Sequence, residues 1–140
     1  MVELLNGDCL TVLPWIEDQS IDLILTDPPY GKKAAKGTNG FGASKNRKYA
    51  GEWDNAIPSV DVFNHFFRIA KTVVIFGGNY FAHCLPLSNG WIVWDKKGDI
   101  AFKNPFADCE LIYTNSNKPI KKIVFKQQGF ISDSKDIRFH

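Results

Sequence analysis

The chain has 140 residues, which predicts one domain, and 44% of them are hydrophobic, enough to form a core. The formal net charge of +2 is too small to indicate a partner. No basic-then-apolar leader pattern and no apolar run near the roughly 18 residues of a membrane span occur, so neither secretion nor a membrane location is expected. Cys9, Cys84 and Cys109 lack metal-site spacing, which favours free thiols in a reducing cytosol and no metal.

The first half of the chain predicts two strands, a short helix and a long loop. VELL, 2–5, is predicted to be a strand that ends at the NGD turn. CLTVLPWIED, 9–18, predicts a short helix whose regularity Pro14 limits. IDLILTD, 21–27, is typical of a strand in a covered parallel sheet, with apolar side chains on both faces. Residues 31–57 are rich in Gly, Lys, Asn and Ser and predict a long basic loop, mobile without a ligand.

The second half predicts one convincing helix and four strands. PSVDVFNHFFRIAK, 58–71, places phenylalanines at helical spacing after Ser59, a plausible N-cap. TVVIFG, 72–77, is predicted to be a buried strand and NYFAHCLP, 79–86, a short helix. The last three strands are GWIVWDK at 90–96, CELIYTN at 109–115 and IKKIVFK at 120–126. The alternation predicts an α/β fold, and the lack of helices between the last strands predicts an antiparallel C-terminal end.

The turn TDPPY, residues 26–30, combines unusual stiffness with polar groups. Pro28 forces Asp27 into an extended conformation, and Pro29 fixes the next φ and removes a backbone donor. The Asp27 carboxylate and the Pro28 carbonyl are two acceptors, and Tyr30 supplies an aromatic plate. This set suits a planar base with an exocyclic NH2, because acceptors that hold its hydrogens leave the nitrogen lone pair free. The ring of Tyr30, not its hydroxyl, is expected to matter, through stacking on the base.

Other features are expected at the same edge of the sheet. Ligands of open parallel sheets bind beyond the carboxyl ends of the strands, and Asp8 and the FGGN turn at 76–79 follow predicted strands. Between Asp27 and Glu52 there is no acidic residue. A basic loop there would hold phosphates while a base leaves the duplex, although a solvated loop explains the charge equally well. Its cations are Lys32, Lys33, Lys36, Lys45, Arg47 and Lys48.

TDPPY resembles the catalytic motif of amino-group DNA methyltransferases, which use S-adenosylmethionine. NGDC, 6–9, resembles the turn that holds the adenosyl group, and VVIFGGNYF, GWIVWDKK and CELIYTNSNKP resemble the strands that follow the motif in phage-type and bacterial members. The resemblance implies that Asp27, Pro28, Pro29 and Tyr30 are catalytic. It implies cofactor contacts at Asp8, Cys9, Asp27 and His140, and a flipped adenine in double-stranded DNA as substrate, because DPPY usually marks adenine enzymes.

One departure from the family concerns its glycine-rich cofactor motif, which is absent before Asp27. Members of permuted order carry it later, after an HPTQKP-like segment whose first residue His140 resembles. GTNGFG, 37–42, follows no predicted strand and is rejected as that motif. Residues 1–140 are therefore expected to form one incomplete domain, the catalytic half of a Rossmann-like methyltransferase sheet, with weak S-adenosylmethionine binding. The alternatives are a non-catalytic DNA-binding remnant, or a methylase acting on cytosine N4, RNA or protein amides. The recognised sequence and the oligomeric state stay open.

Overall fold

The computed structural model describes residues 2–31, 55–98, 107–128 and 131–132. They form a small α/β domain around a five-stranded mixed sheet of order β1-β2-β4-β3-β5. The strands of this sheet are β1 Ile21–Thr26, β2 Ala70–Ile75, β3 Trp91–Asp95, β4 Cys109–Thr114 and β5 Lys121–Val124. The helices are α1 Cys9–Val12 and α2 Val60–Ile69, with 3-10 turns at Leu13–Trp15 and Gly78–Tyr80. A two-stranded ribbon joins β6 Gln127–Gln128 to β7 Ile131–Ser132.

Four strands of the main sheet run in one direction and β4 runs in the other. β1 is parallel to β2 and β3 is parallel to β5, whereas β4 is antiparallel to both of its neighbours, β2 and β3. The carboxyl ends of β1, β2 and β3 and the start of β4 therefore share one edge. The predicted antiparallel end is correct for β3 and β4 and wrong for β5. The short connection 115–120 carries the chain past the start of β3, so β5 pairs with β3 and not with β4.

Helix α2 forms where predicted and builds the core on one face of the sheet. It begins after the N-cap Ser59, whose side chain makes no capping hydrogen bond. Phe63 is fully buried, and its ring centroid lies 5.2 Å from that of Phe81. Phe67 contacts Tyr113 edge to face at 5.8 Å. The phenylalanines that repeat at helical spacing are therefore the residues that join the helix to the sheet.

The sequence predicted that both faces of β1 are covered. Among the described residues, the face of β1 opposite the core is exposed instead. Ile24 pairs in register with Val73 and packs against the core. Leu23 and Leu25 point to the other face, where they are 51% and 62% exposed. Within the described residues β1 is an edge strand and no helix covers this face. The apolar residues of β1 therefore predicted its secondary structure correctly and its burial wrongly.

Two other sequence-based predictions are wrong. VELL forms no strand, because residues 2–6 pair with no neighbour and Leu4 is 91% exposed. NYFAHCLP forms only the 3-10 turn Gly78–Tyr80 and irregular turns before Pro86. The short helix in CLTVLPWIED is confirmed as α1, and the 3-10 turn that contains Pro14 follows it. None of the described helices is both long enough and apolar enough to cross a membrane.

Arg68 ties the N-terminal segment to the end of α2. Its guanidinium donates to the carbonyls of Leu13 and Ile16 at 2.8 and 2.9 Å and pairs with Asp18. The side chain of Gln19 donates back to the carbonyl of Arg68 at 2.9 Å. These bonds fix the start of β1 against the start of β2, and so set the register that brings the two carboxyl ends together.

Candidate functional site

The turns after β1 and β2 meet at one edge of the sheet, as predicted from the parallel strands. Thr26 and Ile75 pair in register at the strand ends, and Phe76 N donates to the Thr26 carbonyl at 2.9 Å. Asp27 and Gly77 follow these residues directly. TDPPY and FGGN therefore form neighbouring walls beyond the carboxyl ends of two parallel strands, the usual position of a ligand site in such sheets.

Gly77 allows the ring of Tyr30 to lie against the second turn. Its φ is +64°, a left-handed conformation that favours glycine. A Cβ atom at Gly77 would stand 2.3 Å from Tyr30 Cε1, so the ring occupies the space of a side chain. Tyr80, in the 3-10 turn that follows, stacks on Tyr30 with ring centroids 4.6 Å apart and planes at 26°. The GGNY segment thus holds the aromatic plate of TDPPY in place.

The hydroxyl of Tyr30 lies between two carboxylates. Its oxygen is 2.5 Å from Asp27 Oδ1 and 2.7 Å from Glu110 Oε1. Burial, followed by the hydrogen bonds and negative charges of Asp27 and Glu110, raises the pKa of Tyr30 far above its usual range. The phenol is therefore neutral and keeps the one hydrogen that it can donate. Sequence reasoning gave this hydroxyl no role, whereas the structure gives it two partners.

Glu110 lies at the start of β4 and was not identified from the sequence. Its side chain is only 11% exposed, and its second oxygen, Oε2, pairs with Lys96 Nζ. The ammonium of Lys96 in turn lies 4.7 Å from the ring centroid of Trp94, the residue that pairs with Glu110 across β3 and β4. We call Lys96, Glu110, Tyr30 and Asp27 the tyrosine network. It is a continuous chain of polar contacts that ends at an exposed carboxylate.

Asp27 presents its free oxygen at the outer end of this network. Pro28 behind it is buried, whereas Asp27 itself is exposed. Oδ1 receives the Tyr30 hydroxyl, and Oδ2 makes no hydrogen bond to the described residues. An N–H donor that reaches this edge therefore meets an unoccupied carboxylate oxygen on a stiff, proline-bounded turn.

Asp8 has a local structural task. It is the N-cap of α1, and its Oδ1 accepts a hydrogen bond from Leu10 N at 2.8 Å. It does not follow a strand, contrary to the prediction, because VELL is unpaired. Cys9, the first residue of α1, is an exposed free thiol. Contacts of Asp8 and Cys9 with a cofactor stay predictions, and one Asp8 oxygen is available for them.

The remaining predicted site residues lie outside the described part of the chain. His140 does so, and so do the predicted DNA contacts, which are Lys32, Lys33, Lys36, Lys45, Arg47 and Lys48. Of the predicted loop 31–57, only residue 31 and residues 55–57 are described. Across the described ranges, no group of His, Cys, Asp and Glu side chains could hold a metal ion.

The described residues form a small α/β domain. At the carboxyl edge of its main sheet, the turn of residues 26–30 carries the exposed carboxylate of Asp27 and the ring of Tyr30, and we call this turn the ledge. No family model matches the chain, and no curated protein matches it significantly. Function must therefore be argued from the site itself.

Proposed function

We propose that this protein is a site-specific DNA methyltransferase that methylates the exocyclic amine of a flipped-out adenine. The single observation that supports this most is the placement of Asp27. Its free carboxylate oxygen stands at the carboxyl end of β1, on a proline-bounded turn, beside a fixed aromatic ring. The sequence resemblance of TDPPY to the methyltransferase motif agrees with this chemistry and selects it among amine-binding functions.

The residues of the ledge can promote attack by a poor nucleophile. The lone pair of an adenine amine is delocalised into the ring, and acceptors that hold both N–H hydrogens favour a pyramidal nitrogen. Asp27 Oδ2 is the exposed acceptor of the proposal, and the carbonyl of Pro28, a buried residue, is the second. When bound, the donor would supply the methyl group and keep the electron pair of the carbon–sulfur bond that breaks. The Asp27 carboxylate would accept the one proton that the methylated nitrogen loses.

S-adenosylmethionine supplies the electrophilic methyl group of this reaction. The described residues fit it in part. Asp8 retains one carboxylate oxygen for the adenosyl amino group, since its other oxygen caps α1. The glycine-rich turn typical of the family is not found in the sequence, so the 140-residue chain is expected to bind the donor weakly.

The test is transfer of a labelled methyl group to mixed-sequence, unmethylated duplex DNA. The protein is expressed from its whole natural reading frame. Asp27→Ala removes both the amine acceptor and the base, and is expected to abolish transfer without unfolding the protein, because the side chain is exposed. Asp27→Asn is expected to fail nearly as severely, since an amide offers one oxygen and no base. Asp22→Asn is the matched control, because Asp22 is also exposed, lies on β1 just before the Asp27 turn and, among the described residues, pairs only with Lys71, at 2.7 Å.

Three outcomes decide the proposal. Loss of transfer in Asp27→Ala with normal transfer in Asp22→Asn supports it. Transfer that survives Asp27→Ala removes the ledge as the active site. DNA binding by the wild-type protein without any transfer favours the second candidate, a non-catalytic DNA-binding remnant.

A further inference from the structure

We propose that Glu110 is a positioning residue of this site, which fixes the Asp27 carboxylate through the hydroxyl of Tyr30. The inference rests on the proposed function, because Asp27 is the group that it positions. Glu110 is separated from Tyr30 by 80 residues of sequence, and only the reversed direction of β4 brings its carboxylate to this edge. The Glu110 side chain does not contact the exposed oxygen of Asp27, and it is only 11% exposed to solvent.

The carboxylate of Glu110 is itself held in one orientation. Its two oxygens have different partners, Tyr30 for Oε1 and Lys96 for Oε2. Lys96 is 25% exposed, and the face of Trp94 supports its ammonium group. A carboxylate bound at both oxygens and nearly buried has one orientation. It is therefore a hydrogen-bond acceptor in a fixed position for the Tyr30 hydroxyl.

The Tyr30 hydroxyl has a single hydrogen. A phenol donates one hydrogen bond at a time, yet two carboxylate oxygens lie within 2.7 Å of its oxygen. The hydrogen can therefore turn towards Asp27 or towards Glu110. When an amine donates to Asp27, the hydroxyl hydrogen can turn to Glu110 and leave Asp27 free to bind the amine with both oxygens. Glu110 is thus a second acceptor for the Tyr30 hydroxyl, so Asp27 can bind the amine with both oxygens while the ring stays in place.

The ring of Tyr30 itself cannot shift to compensate. Tyr80 stacks on it at 4.6 Å between centroids, and the backbone of Gly77 lies against its edge. The hydroxyl therefore stays between the two carboxylates. Within the described part of the chain, the titratable groups that face it are Asp27 from the turn after β1, Glu110 from β4 and the stacked Tyr80, with Lys96 behind Glu110. The two carboxylate contacts predict that the hydroxyl, and not only the ring, is required for efficient reaction.

The experiment compares Glu110→Gln and Tyr30→Phe with a matched control, Asp108→Asn. Asp108 is also a carboxylate that pairs with a lysine at the start of the β4 region, but it binds Lys97 at 3.2 Å and lies outside the tyrosine network. In the first arm, the hydrogen bonding of the tyrosine hydroxyls is followed by vibrational spectroscopy of the folded protein at neutral pH. Tyr30→Phe is expected to remove one band, which identifies Tyr30. Glu110→Gln replaces a charged acceptor beside the hydroxyl with a neutral one and is expected to shift that band, whereas Asp108→Asn changes nothing.

In the second arm, methyl transfer by the protein from its natural reading frame is measured. Tyr30→Phe and Glu110→Gln are each expected to lower kcat about tenfold, the equivalent of one hydrogen bond. The KM for S-adenosylmethionine is expected to change less than kcat, because neither Tyr30 nor Glu110 is among the predicted cofactor contacts. A residue that merely stabilised the fold would lower the unfolding midpoint without this selective loss of kcat.

The results separate the inference from the proposed function. If Glu110→Gln gives the same tyrosine band and the same kcat as Asp108→Asn, Glu110 positions nothing. If the wild-type protein transfers no methyl group, the proposed function fails, and the positioning role built on it fails with it. The spectroscopic arm would then still decide whether Glu110 binds the Tyr30 hydroxyl.

Discussion

Replacement of Gly77 by alanine tests the contact between the two turns of the site. The new Cβ would lie 2.3 Å from Tyr30 Cε1, so the ring must move by about 1 Å to reach ordinary contact distance. A non-glycine residue in the left-handed conformation costs about 1–2 kcal/mol. Moving the ring breaks a hydrogen bond of the hydroxyl, worth about 1 kcal/mol, and disturbs the Tyr80 stack, worth about 0.5–1.5 kcal/mol. Together these effects predict that Gly77→Ala lowers the free energy of unfolding by about 2.5–4.5 kcal/mol.

Gly98 offers a control with nearly the same backbone. Its φ is +59°, but an added Cβ would meet the flexible end of Lys126 at 3.2 Å. Gly98→Ala is therefore expected to cost only the backbone strain, about 1–2 kcal/mol. Urea unfolding followed by far-UV circular dichroism measures both variants. In a Tyr30→Ala background, Gly77→Ala should cost no more than Gly98→Ala does. Equal costs of Gly77→Ala and Gly98→Ala in the wild-type background would refute the close packing of the ring on the turn.

Two further predictions concern the sheet and its acid stability. Val73→Ala, at a fully buried position of β2, is expected to lower the free energy of unfolding by about 2–3 kcal/mol, whereas Leu25→Ala, on the exposed face of β1, is expected to lower it by less than about 1 kcal/mol. Urea unfolding measures both variants, and equal losses would mean that this face of β1 is covered. The Lys122 side chain and the backbone N–H groups of Lys97 and Gly98 lower the pKa of Asp95 from 3.8 to about 2. The carboxylate therefore contributes stability above pH 3.8 that is lost as the pH falls towards 2, and Asp95→Asn is expected to flatten the fall in melting temperature over that range. An unchanged slope would contradict this role.

The sequence was sufficient for most elements and for one half of the site. Apolar runs bounded by turns predicted β1 to β5, and the helical spacing of phenylalanines predicted α2. The meeting of TDPPY with FGGN followed from a general property of parallel strands, so Asp27 and Gly77 could be placed together before any coordinates were known. These inferences depend on local patterns and short-range topology.

Burial and long-range contacts could not be derived in this way. The sequence of β1 does not reveal that it lies at the edge of the described sheet, because edge and central strands of a parallel sheet can share one composition. VELL has the composition of a strand, but a strand exists only beside a partner. Glu110 was missed because its role depends on the direction of β4 relative to β2. A glutamate at the start of an apolar strand, which must face either solvent or a polar site, was the one available signal.

The identity of the methylated base tests the central claim most directly. Duplex DNA of mixed sequence, incubated with S-adenosylmethionine and the protein from its natural reading frame, is digested to nucleosides and analysed by mass spectrometry. The proposed function predicts that the wild-type protein forms N6-methyladenine and that Asp27→Ala forms none. N4-methylcytosine in its place, or N6-methyladenine formed equally by Asp27→Ala, would contradict it.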